Sequence, residues 1–228
     1  MGTASNNPCR NVNVPKGEKR EKQVYTLEET EQFFMLLEIA PLKYRLLFTL
    51  SIYSGFRNGE MLGLEWKDID YKNNVISIHR TSNYTGEKGI YTDTTKTKRS
   101  MRSLKFSQFI MDMLKVFQAE QNTEKEKLGT KWEDSDRLFT KWNGNPMHPH
   151  TPYLWLKDFT SKHNFRFCDI HSFRHSTASI LHDKGWSLKD IQEWLRHADI
   201  ETTGNIYTHI SQQRKQMTAR DLEKTFII

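Results

Sequence analysis

The sequence predicts a mainly α-helical α+β fold with one small three-stranded antiparallel sheet at an edge, and two observations lead to this prediction. Before residue 65 and after residue 107, apolar side chains recur at helical spacing behind recognisable helix-start signals. Between these parts, residues 68–105 change to short apolar segments that alternate with polar residues and are separated by turns. The second pattern is typical of strands, so we expect the sheet to be inserted between two helical parts.

Three helices are predicted in the first part. Residues 26–29 form a capping box, in which the threonine and glutamate side chains accept hydrogen bonds from each other's backbone N–H, and apolar spacing continues through Leu37. Pro41 opens a second helix, because a proline in the first turn loses no hydrogen bond, and this helix ends near Gly55. Residues 57–64 are predicted to form a short third helix.

Strands come next, followed by more helices. Residues 75–78 alternate in hydrophobicity after an Asn73-Asn74 turn, and two further strands are expected near residues 90–91 and 101–104, on either side of a basic turn. The helices expected beyond the sheet are 107–127, 152–163, 172–184 and, from a capping signal at Ser187, 187–195.

The composition is that of a globular protein with a basic surface. The 228 residues are 36% hydrophobic and 27% charged, which suits one large domain or one and a half of average size. The sequence has no 18-residue apolar run, and its first residues lack the pattern of a secretion signal. The net charge of +6 favours a polyanionic partner. Cys9 and Cys168 form no CxxC pair, so we expect no disulfide framework and a reducing cytoplasm.

Several phosphate and metal motifs are absent from the sequence, namely GxxxxGK[ST], GxGxxG and HExxH. The His-Pro-His segment 148–150 has no nearby carboxylates, which favours a solvated loop over a metal site. Asp134 with Asp136, and Asp68 with Asp70, are candidates for a two-metal nuclease, although the latter pair is better explained as capping or flanking the first strand. We therefore predict neither a metal nor a cofactor.

Metal-free cleavage of a phosphodiester needs a nucleophile, cations for the nonbridging oxygens, a base and an acid. Arginine suits the second role because its planar fork matches two phosphate oxygens and stays charged. Arg57 follows the helix-ending Gly55 and precedes Glu60 by three residues, a spacing that by itself is typical of a surface salt bridge. Residues 94–106 hold no acid, which is typical of a solvated turn or of contact with DNA; their basic residues are Lys96, Lys98, Arg99, Arg102 and Lys105.

The remaining candidates lie in the second half of the chain. His171 and Arg174 are one helical turn apart on one face of a predicted helix, and either residue alone is more commonly structural. His197 is followed ten residues later by Tyr207. A single tyrosine near the end of a chain usually belongs to the core or the surface, so only the combination of these residues indicates a reaction.

In order and spacing the combination resembles the tyrosine recombinase (phage integrase) family, in particular integrases of prophages and conjugative transposons. Residues 54–60, Ser-Gly-Phe-Arg-Asn-Gly-Glu, match the first arginine box of that family. Residues 171–176, His-Ser-Phe-Arg-His-Ser, match the second, and His197 followed by Tyr207 matches the third. The resemblance spans about residues 25–210.

Two positions depart from the family pattern. Arg196 stands where a glycine commonly precedes the third-box histidine, and Lys105 stands where proline is frequent. Neither departure removes a catalytic group. Arg196 is expected to alter helix packing or to add a phosphate contact.

The resemblance implies the tyrosine recombinase catalytic fold and a reaction without metal or ATP. Arg57 and Arg174 would grip the scissile phosphate, and His171 would assist proton removal from the nucleophile Tyr207. His197 would hydrogen-bond the phosphate in the transition state. The product would be a 3′-phosphotyrosine and a free 5′-hydroxyl, which allows the strand to be rejoined to a different partner.

Further residues receive supporting and DNA-binding roles from the same resemblance. Lys96 would protonate the 5′ leaving oxygen, with Lys98 as the alternative. Glu60 and His175 would support the site. Contacts with the DNA backbone are expected from Lys98, Arg99 and Arg102.

The resemblance also implies how the chain is organised. Residues 25–210 would be the catalytic domain, residues 1–24 a linker or arm left from a missing N-terminal DNA-binding domain, and residues 211–228 a tail that packs on a neighbouring protomer. The partner would be double-stranded DNA at a specific recombination site, bound by a homotetramer that is monomeric when free, with no role for a membrane.

Three alternatives stay open at this point. A type IB topoisomerase-like enzyme would share the same chemistry without a specific site. A non-catalytic DNA-binding regulator would use only the basic surface, and a metal-dependent nuclease would use the acidic pairs.

Overall fold

The computed structural model describes residues 24–94 and 102–196, which form a helical body that carries two small antiparallel sheets. The predicted arm before Val24, the predicted tail and Cys9 lie outside these ranges. No helix within them combines the length and the apolar character that a bilayer-spanning segment needs. The elements are α1 (Leu27–Leu37), α2 (Leu42–Ser54), α3 (Asn58–Leu62), β1 (Ile69–Asp70), β2 (Val75–Ile78), β3 (Arg80–Thr85), β4 (Gly89–Thr94), β5 (Arg102–Lys105), α4 (Gln108–Leu128), α5 (Thr151–Lys162), α6 (Ile170–Asp183) and α7 (Leu188–Leu195), with 3-10 turns at Trp66–Asp68 and Gly129–Lys131.

The helix boundaries follow the predicted caps. At the start of α1, Thr26 Oγ1 accepts from the Glu29 N–H at 3.2 Å, and Glu29 Oε2 accepts from the Thr26 N–H at 2.9 Å, so the predicted capping box is confirmed. Helix α2 begins after Pro41 and ends before Gly55, whose φ of +59° is the left-handed conformation that commonly ends a helix and favours glycine. Helix α7 begins at Ser187, whose side chain accepts from the Asp190 N–H.

The described strands differ from the prediction in number and in pairing, because neither β1 nor β3 was expected and the strands form two sheets. Strands β1, β2 and β5 form a three-stranded antiparallel sheet in the order β1-β2-β5, whereas β4 pairs with β3 in a separate two-stranded hairpin. Strand β3 was not expected, because its sequence Arg-Thr-Ser-Asn-Tyr-Thr holds a single apolar residue and therefore no alternating pattern. It is formed by backbone pairing with β4, which a hydrophobicity pattern does not report.

The two sheets belong to one long hairpin, in which β2 pairs with β5 and β3 pairs with β4. Antiparallel pairing joins Ile78 with Arg102 in the first sheet and Arg80 with Thr94 in the second. Residue 79 alone separates β2 from β3, whereas residues 95–101, which lie outside the described ranges, separate β4 from β5. The hairpin therefore fixes both ends of the segment that contains Lys96 and Lys98.

An aromatic core joins α1, α2 and α6. Tyr25, Phe33, Phe48 and Phe173 are fully buried, and the ring centroid of Phe33 lies 5.5 Å from those of Tyr25 and Phe173 and 6.2 Å from that of Phe48. The Tyr25 N–H donates to Ser176 Oγ at 2.8 Å, and this hydrogen bond holds the residues just before α1 against α6. This core fixes α2, whose end leads into the first arginine box, against α6, which carries the second.

Truncating the ring at the centre of this core is expected to be costly. Phe33→Ala should lower the free energy of unfolding by about 3–5 kcal/mol, because it removes a buried ring and leaves a cavity. Met35→Ala on the same helix, at a side chain that is 66% exposed, should change it by less than about 0.5 kcal/mol. Urea denaturation of both variants measures the difference, and equal stabilities would show that Phe33 is not part of the core.

Candidate active site

The first two arginine boxes meet at the point where three helices begin or end. Gly55 follows the last residue of α2, Arg57 is the N-cap of α3, and Arg174 is in the second turn of α6. Arg174 Nη1 donates to the Gly55 carbonyl at 2.5 Å, and its Nη2 donates to the carbonyl of Leu195, the last residue of α7. The structure thus places Arg174 against the backbone of the first box and against the end of the helix that precedes His197.

Gly55 makes this meeting possible. A Cβ at this position would lie 2.3 Å from Leu195 Cδ2, which is shorter than any real carbon contact, and 3.5 Å from Arg174 Cγ. The positive φ of the residue also favours glycine. The glycine of the first box therefore permits α7 to approach the end of α2.

Arg57 presents its guanidinium at the surface in a fixed orientation. Its side chain is 47% exposed, and Nη1 donates to Glu60 Oε1 at 2.9 Å. Glu60 Oε2 accepts from the Arg57 backbone N–H, also at 2.9 Å. An exposed pair at this spacing normally contributes little. Here the Glu60 side chain is only 12% exposed, so the carboxylate holds both the backbone and the side chain of Arg57.

Arg174 is buried, with 3% of its surface exposed. Burial lowers the pKa of Arg174, and the positive charges of Arg57 and Arg102 lower it further, while Glu60 opposes the change. The ordinary pKa of a guanidinium lies so far above neutrality that Arg174 keeps its charge at pH 7. The structure therefore gathers three cations around one carboxylate, an arrangement that an incoming anion would stabilise.

The helix ends offset part of this charge. The last carbonyls of a helix carry a partial negative charge, because their hydrogen-bonding capacity is unused and the peptide dipoles add along the axis. At the end of α2, Gly55 and Ser54 direct carbonyls at Arg174 and Arg102. At the end of α7, Leu195 directs its carbonyl at both of them.

His171 and His175 lie one turn apart on α6. His171 is exposed and His175 is buried, and their rings meet edge to face with centroids 5.4 Å apart. Asp169 caps the helix by accepting from the Ser172 N–H at 2.8 Å. The structure thus places His171 and Arg174 in the first two turns of one helix, as the sequence predicts, and it places the buried His175 ring against that of His171.

Arg102 is in the interior, whereas the sequence prediction put it on the DNA-facing surface. Its side chain is 5% exposed, and Nη1 donates to the carbonyls of Leu195 at 2.9 Å and Trp194 at 3.1 Å. Along β5 the residues alternate between buried and exposed, so Arg102 shares the inward face with Leu104. In the sequence, the apolar Leu104 two residues after Arg102 is the signal that could have placed Arg102 on the inward face of the strand.

The other predicted residues of the site lie outside the described ranges. These residues are Lys96, Lys98, Arg99, His197 and Tyr207. Among the described residues, the structure brings together Arg57, Glu60, Arg102 and Arg174, and the pair of histidines lies on the same helix as Arg174.

Arg196, the departure from the family pattern, adopts φ +49° and ψ +57° as the C-cap of α7. This left-handed conformation is open to glycine at little cost, whereas a residue with a side chain is strained there by roughly 1–2 kcal/mol. The backbone geometry therefore gives a physical reason for glycine at this position.

A buried ionic network, which the sequence analysis did not identify, holds the β3–β4 hairpin to the end of α3. Arg80 Nη1 contacts Asp68 Oδ2 at 2.5 Å and Glu65 Oε2 at 3.1 Å. Arg137 donates to the Gly63 carbonyl at 2.5 Å and to Thr92 Oγ1 at 2.6 Å. Asp68 thus has a structural partner next to the first strand.

The remaining acidic and histidine candidates also have structural partners. Asp70 accepts from the Asn73 side chain at 2.7 Å, and Asp134 pairs with Lys125. His148 packs on Tyr84 with ring centroids 4.4 Å apart. Across residues 24–94 and 102–196, no three histidine, cysteine or acidic side chains are grouped so that they could hold a metal ion.

Comparison with known proteins places these observations in a family. The model of the phage integrase family matches residues 23–214. A tyrosine recombinase XerC-like protein of Caldanaerobacter subterraneus subsp. tengcongensis is 29% identical, over 99% of this chain and 62% of its own length. The ICEBs1 integrase of Bacillus subtilis is 26% identical, over 95% of this chain and 58% of its own length. The chain thus spans about three fifths of the length of these relatives.

Solved structures show the same fold. The Tn1549 transposon integrase, in complex with transposon right end DNA, matches with a TM-score of 0.71 and 22% identity, over 90% of this chain and 68% of that one. The XerH site-specific recombinase bound to palindromic difH substrate matches with a TM-score of 0.64 and 26% identity, over 88% and 53%. Sequence motifs, fold and family match agree, and the chain belongs to the phage integrase family of tyrosine recombinases.

Proposed function

We propose that this chain is the catalytic part of a site-specific recombinase that cuts and rejoins DNA through a 3′-phosphotyrosine at Tyr207. The observation that carries the proposal is the arginine cluster, in which Arg57 and Arg174 converge from separate helices with Glu60 as the nearby carboxylate. A phosphodiester is the anion that such paired forks fit. Membership of the family and relatives named as recombinases and integrases support the same activity.

The bracing of Arg174 fits a phosphate-binding role. Nη1 and Nη2 of Arg174 each donate to a different carbonyl, so both ends of the fork are held. The Gly55 and Leu195 carbonyls thereby fix the plane of the fork before any ligand arrives. A donor that is already oriented loses little entropy when the transition state forms.

In the proposed reaction, the Tyr207 oxygen attacks the scissile phosphorus and the bond from phosphorus to the 5′ oxygen breaks. The phenol proton goes to His171, and Lys96 protonates the departing 5′ oxygen, with Lys98 as the alternative donor. Arg57 and Arg174 hold the nonbridging oxygens, and His197 donates to one of them. The free energy of the ester is kept in the phosphotyrosine, so another 5′-hydroxyl can attack it and restore the DNA strand.

The proposal extends to the parts of the chain around the cluster. Lys98 and Arg99 contact the DNA backbone, while Glu60 and His175 support Arg57 and His171. The active species is a homotetramer on two DNA sites in the cytoplasm, formed from free monomers.

A suicide substrate tests the nucleophile. Duplex DNA carrying the recombination site, with a nick beside the scissile phosphate, should trap the chain in an adduct that survives denaturant, because the short 5′-hydroxyl fragment diffuses away. The adduct should form in EDTA and be absent from Tyr207→Phe. Adduct formation by Tyr207→Phe would reject Tyr207, and a requirement for divalent metal would indicate the nuclease instead.

The same material separates the remaining alternatives. Relaxation of supercoiled plasmids that lack a recombination site would indicate a topoisomerase-like enzyme. DNA binding without any adduct under all conditions would indicate a regulator.

Removal of one phosphate-binding fork should slow cleavage far more than it weakens DNA binding. Arg57→Ala should lower the single-turnover rate of adduct formation roughly 100- to 1000-fold, or about 3–4 kcal/mol, because the donor acts on charge that develops in the transition state. The dissociation constant for DNA should change little, since many phosphate contacts share the binding energy.

Arg45→Ala is the matched control. Arg45 is in the first turn of α2, pairs with Glu38 at 3.4 Å, and lies at the opposite end of that helix from Gly55. Its removal should leave the rate unchanged. Equal losses of cleavage rate in the two variants would show that the effect is not specific to Arg57.

A further inference from the structure

Arg102 joins three segments of the chain that are distant in sequence. It opens β5, and its Nη1 donates to the carbonyls of Trp194 and Leu195 at the end of α7. Its Nη2 lies 3.5 Å from the Ser54 carbonyl at the end of α2 and 3.5 Å from Glu60 Oε2. The guanidinium carbon lies 4.3 Å from the centre of the Phe56 ring.

A purely structural role rarely requires a charged side chain that is as buried as that of Arg102. Burial lowers the pKa of Arg102, and among the charges around it Glu60 opposes this while Arg57 and Arg196 add to it. An apolar residue of similar volume would fill the space without a desolvation cost. A guanidinium is suited to the position because it can donate to oxygens in several directions within one plane.

The contact with Glu60 leads directly to Arg57. Glu60 Oε2 is shared between the Arg57 backbone N–H and the Arg102 guanidinium, while Oε1 accepts from Arg57 Nη1. Arg102 therefore limits how the carboxylate can rotate, and the carboxylate determines where the exposed Arg57 fork points.

The contact with α7 leads to the other fork. The Leu195 carbonyl accepts from both Arg102 and Arg174, so the two guanidiniums hold the same peptide group. Leu195 stands two residues before His197. Any shift of this carbonyl would change the bracing of Arg174 and the start of the segment that carries His197.

We propose that Arg102 is a positioning residue of the cleavage site, which orients Arg57 through Glu60 and braces Arg174 through the end of α7. Arg102 itself touches no substrate. This inference rests on the proposed function, because it assigns Arg102 a role in the same reaction.

The test measures cleavage at saturating DNA. Arg102→Met keeps the length and apolar contacts of the side chain but removes its donors, and it should form the suicide-substrate adduct about 100-fold more slowly, because a misplaced donor costs that much. The dissociation constant for DNA should stay within about threefold, because many other phosphate contacts share the binding energy. Arg102→Lys, with one cationic centre, should recover part of the rate.

A double-mutant cycle distinguishes positioning from mere structural support. If Arg102 acts partly through Arg57, the loss in Arg57→Ala combined with Arg102→Met should be smaller than the product of the two single losses. If the two side chains acted independently, the rate loss of the double variant would equal the product of the two single losses. Glu60→Gln should reproduce part of the Arg102→Met loss, because it weakens the contact between the two arginines.

Arg137→Met is the matched control, since Arg137 is as buried as Arg102 and also binds backbone carbonyls, those of Leu62 and Gly63. It should lower the melting temperature but leave the saturated cleavage rate unchanged when assayed well below that temperature. A wild-type rate in Arg102→Met, multiplicative losses in the cycle, or an unfolded Arg102→Lys would overturn the inference. Absence of an adduct in the wild-type chain would instead reject the proposed function.

Discussion

The carbonyl of Leu195 is the point on which the site depends, because two guanidiniums from different parts of the chain donate to it. Arg174 reaches it from α6 and Arg102 reaches it from β5, so one peptide group fixes α7 against both. The absence of a side chain at Gly55 is what lets the end of α7 come so close to α2. The relative placement of the two arginine boxes and the end of α7 thus depends on one backbone oxygen and the space beside it.

This arrangement explains how a mainly helical protein keeps several like charges together. The helix ends supply carbonyls, Glu60 supplies a carboxylate, and the aromatic core of α1, α2 and α6 holds these helices against one another. The partial charges at helix ends are fixed, so they stabilise the guanidiniums without a mobile partner that would compete with a ligand. Among these guanidiniums, that of Arg57 is the one with a side chain about half exposed.

Much of this could be predicted from the sequence, and the rest depends on contacts that a pattern does not encode. Local signals such as the caps at Thr26 and Ser187 predicted helix boundaries well, because the interactions involved lie within one turn. Strand β3 escaped prediction because only its backbone pairing defines it, and Arg102 was interpreted as one member of a basic run. The partners of Arg102 lie 48 and 93 residues away, at Ser54 and Leu195, and no local rule reaches that far.

The left-handed Arg196 has a practical implication for engineering. Every arginine codon becomes a glycine codon through a change of its first base, so random mutagenesis visits Arg196→Gly often. A stability screen would enrich that change, since it relieves backbone strain at the end of α7. Because His197 is the next residue, selection for heat resistance alone would favour a substitution next to a predicted catalytic residue. Mutant libraries of this protein therefore need a cleavage assay in the same round of selection.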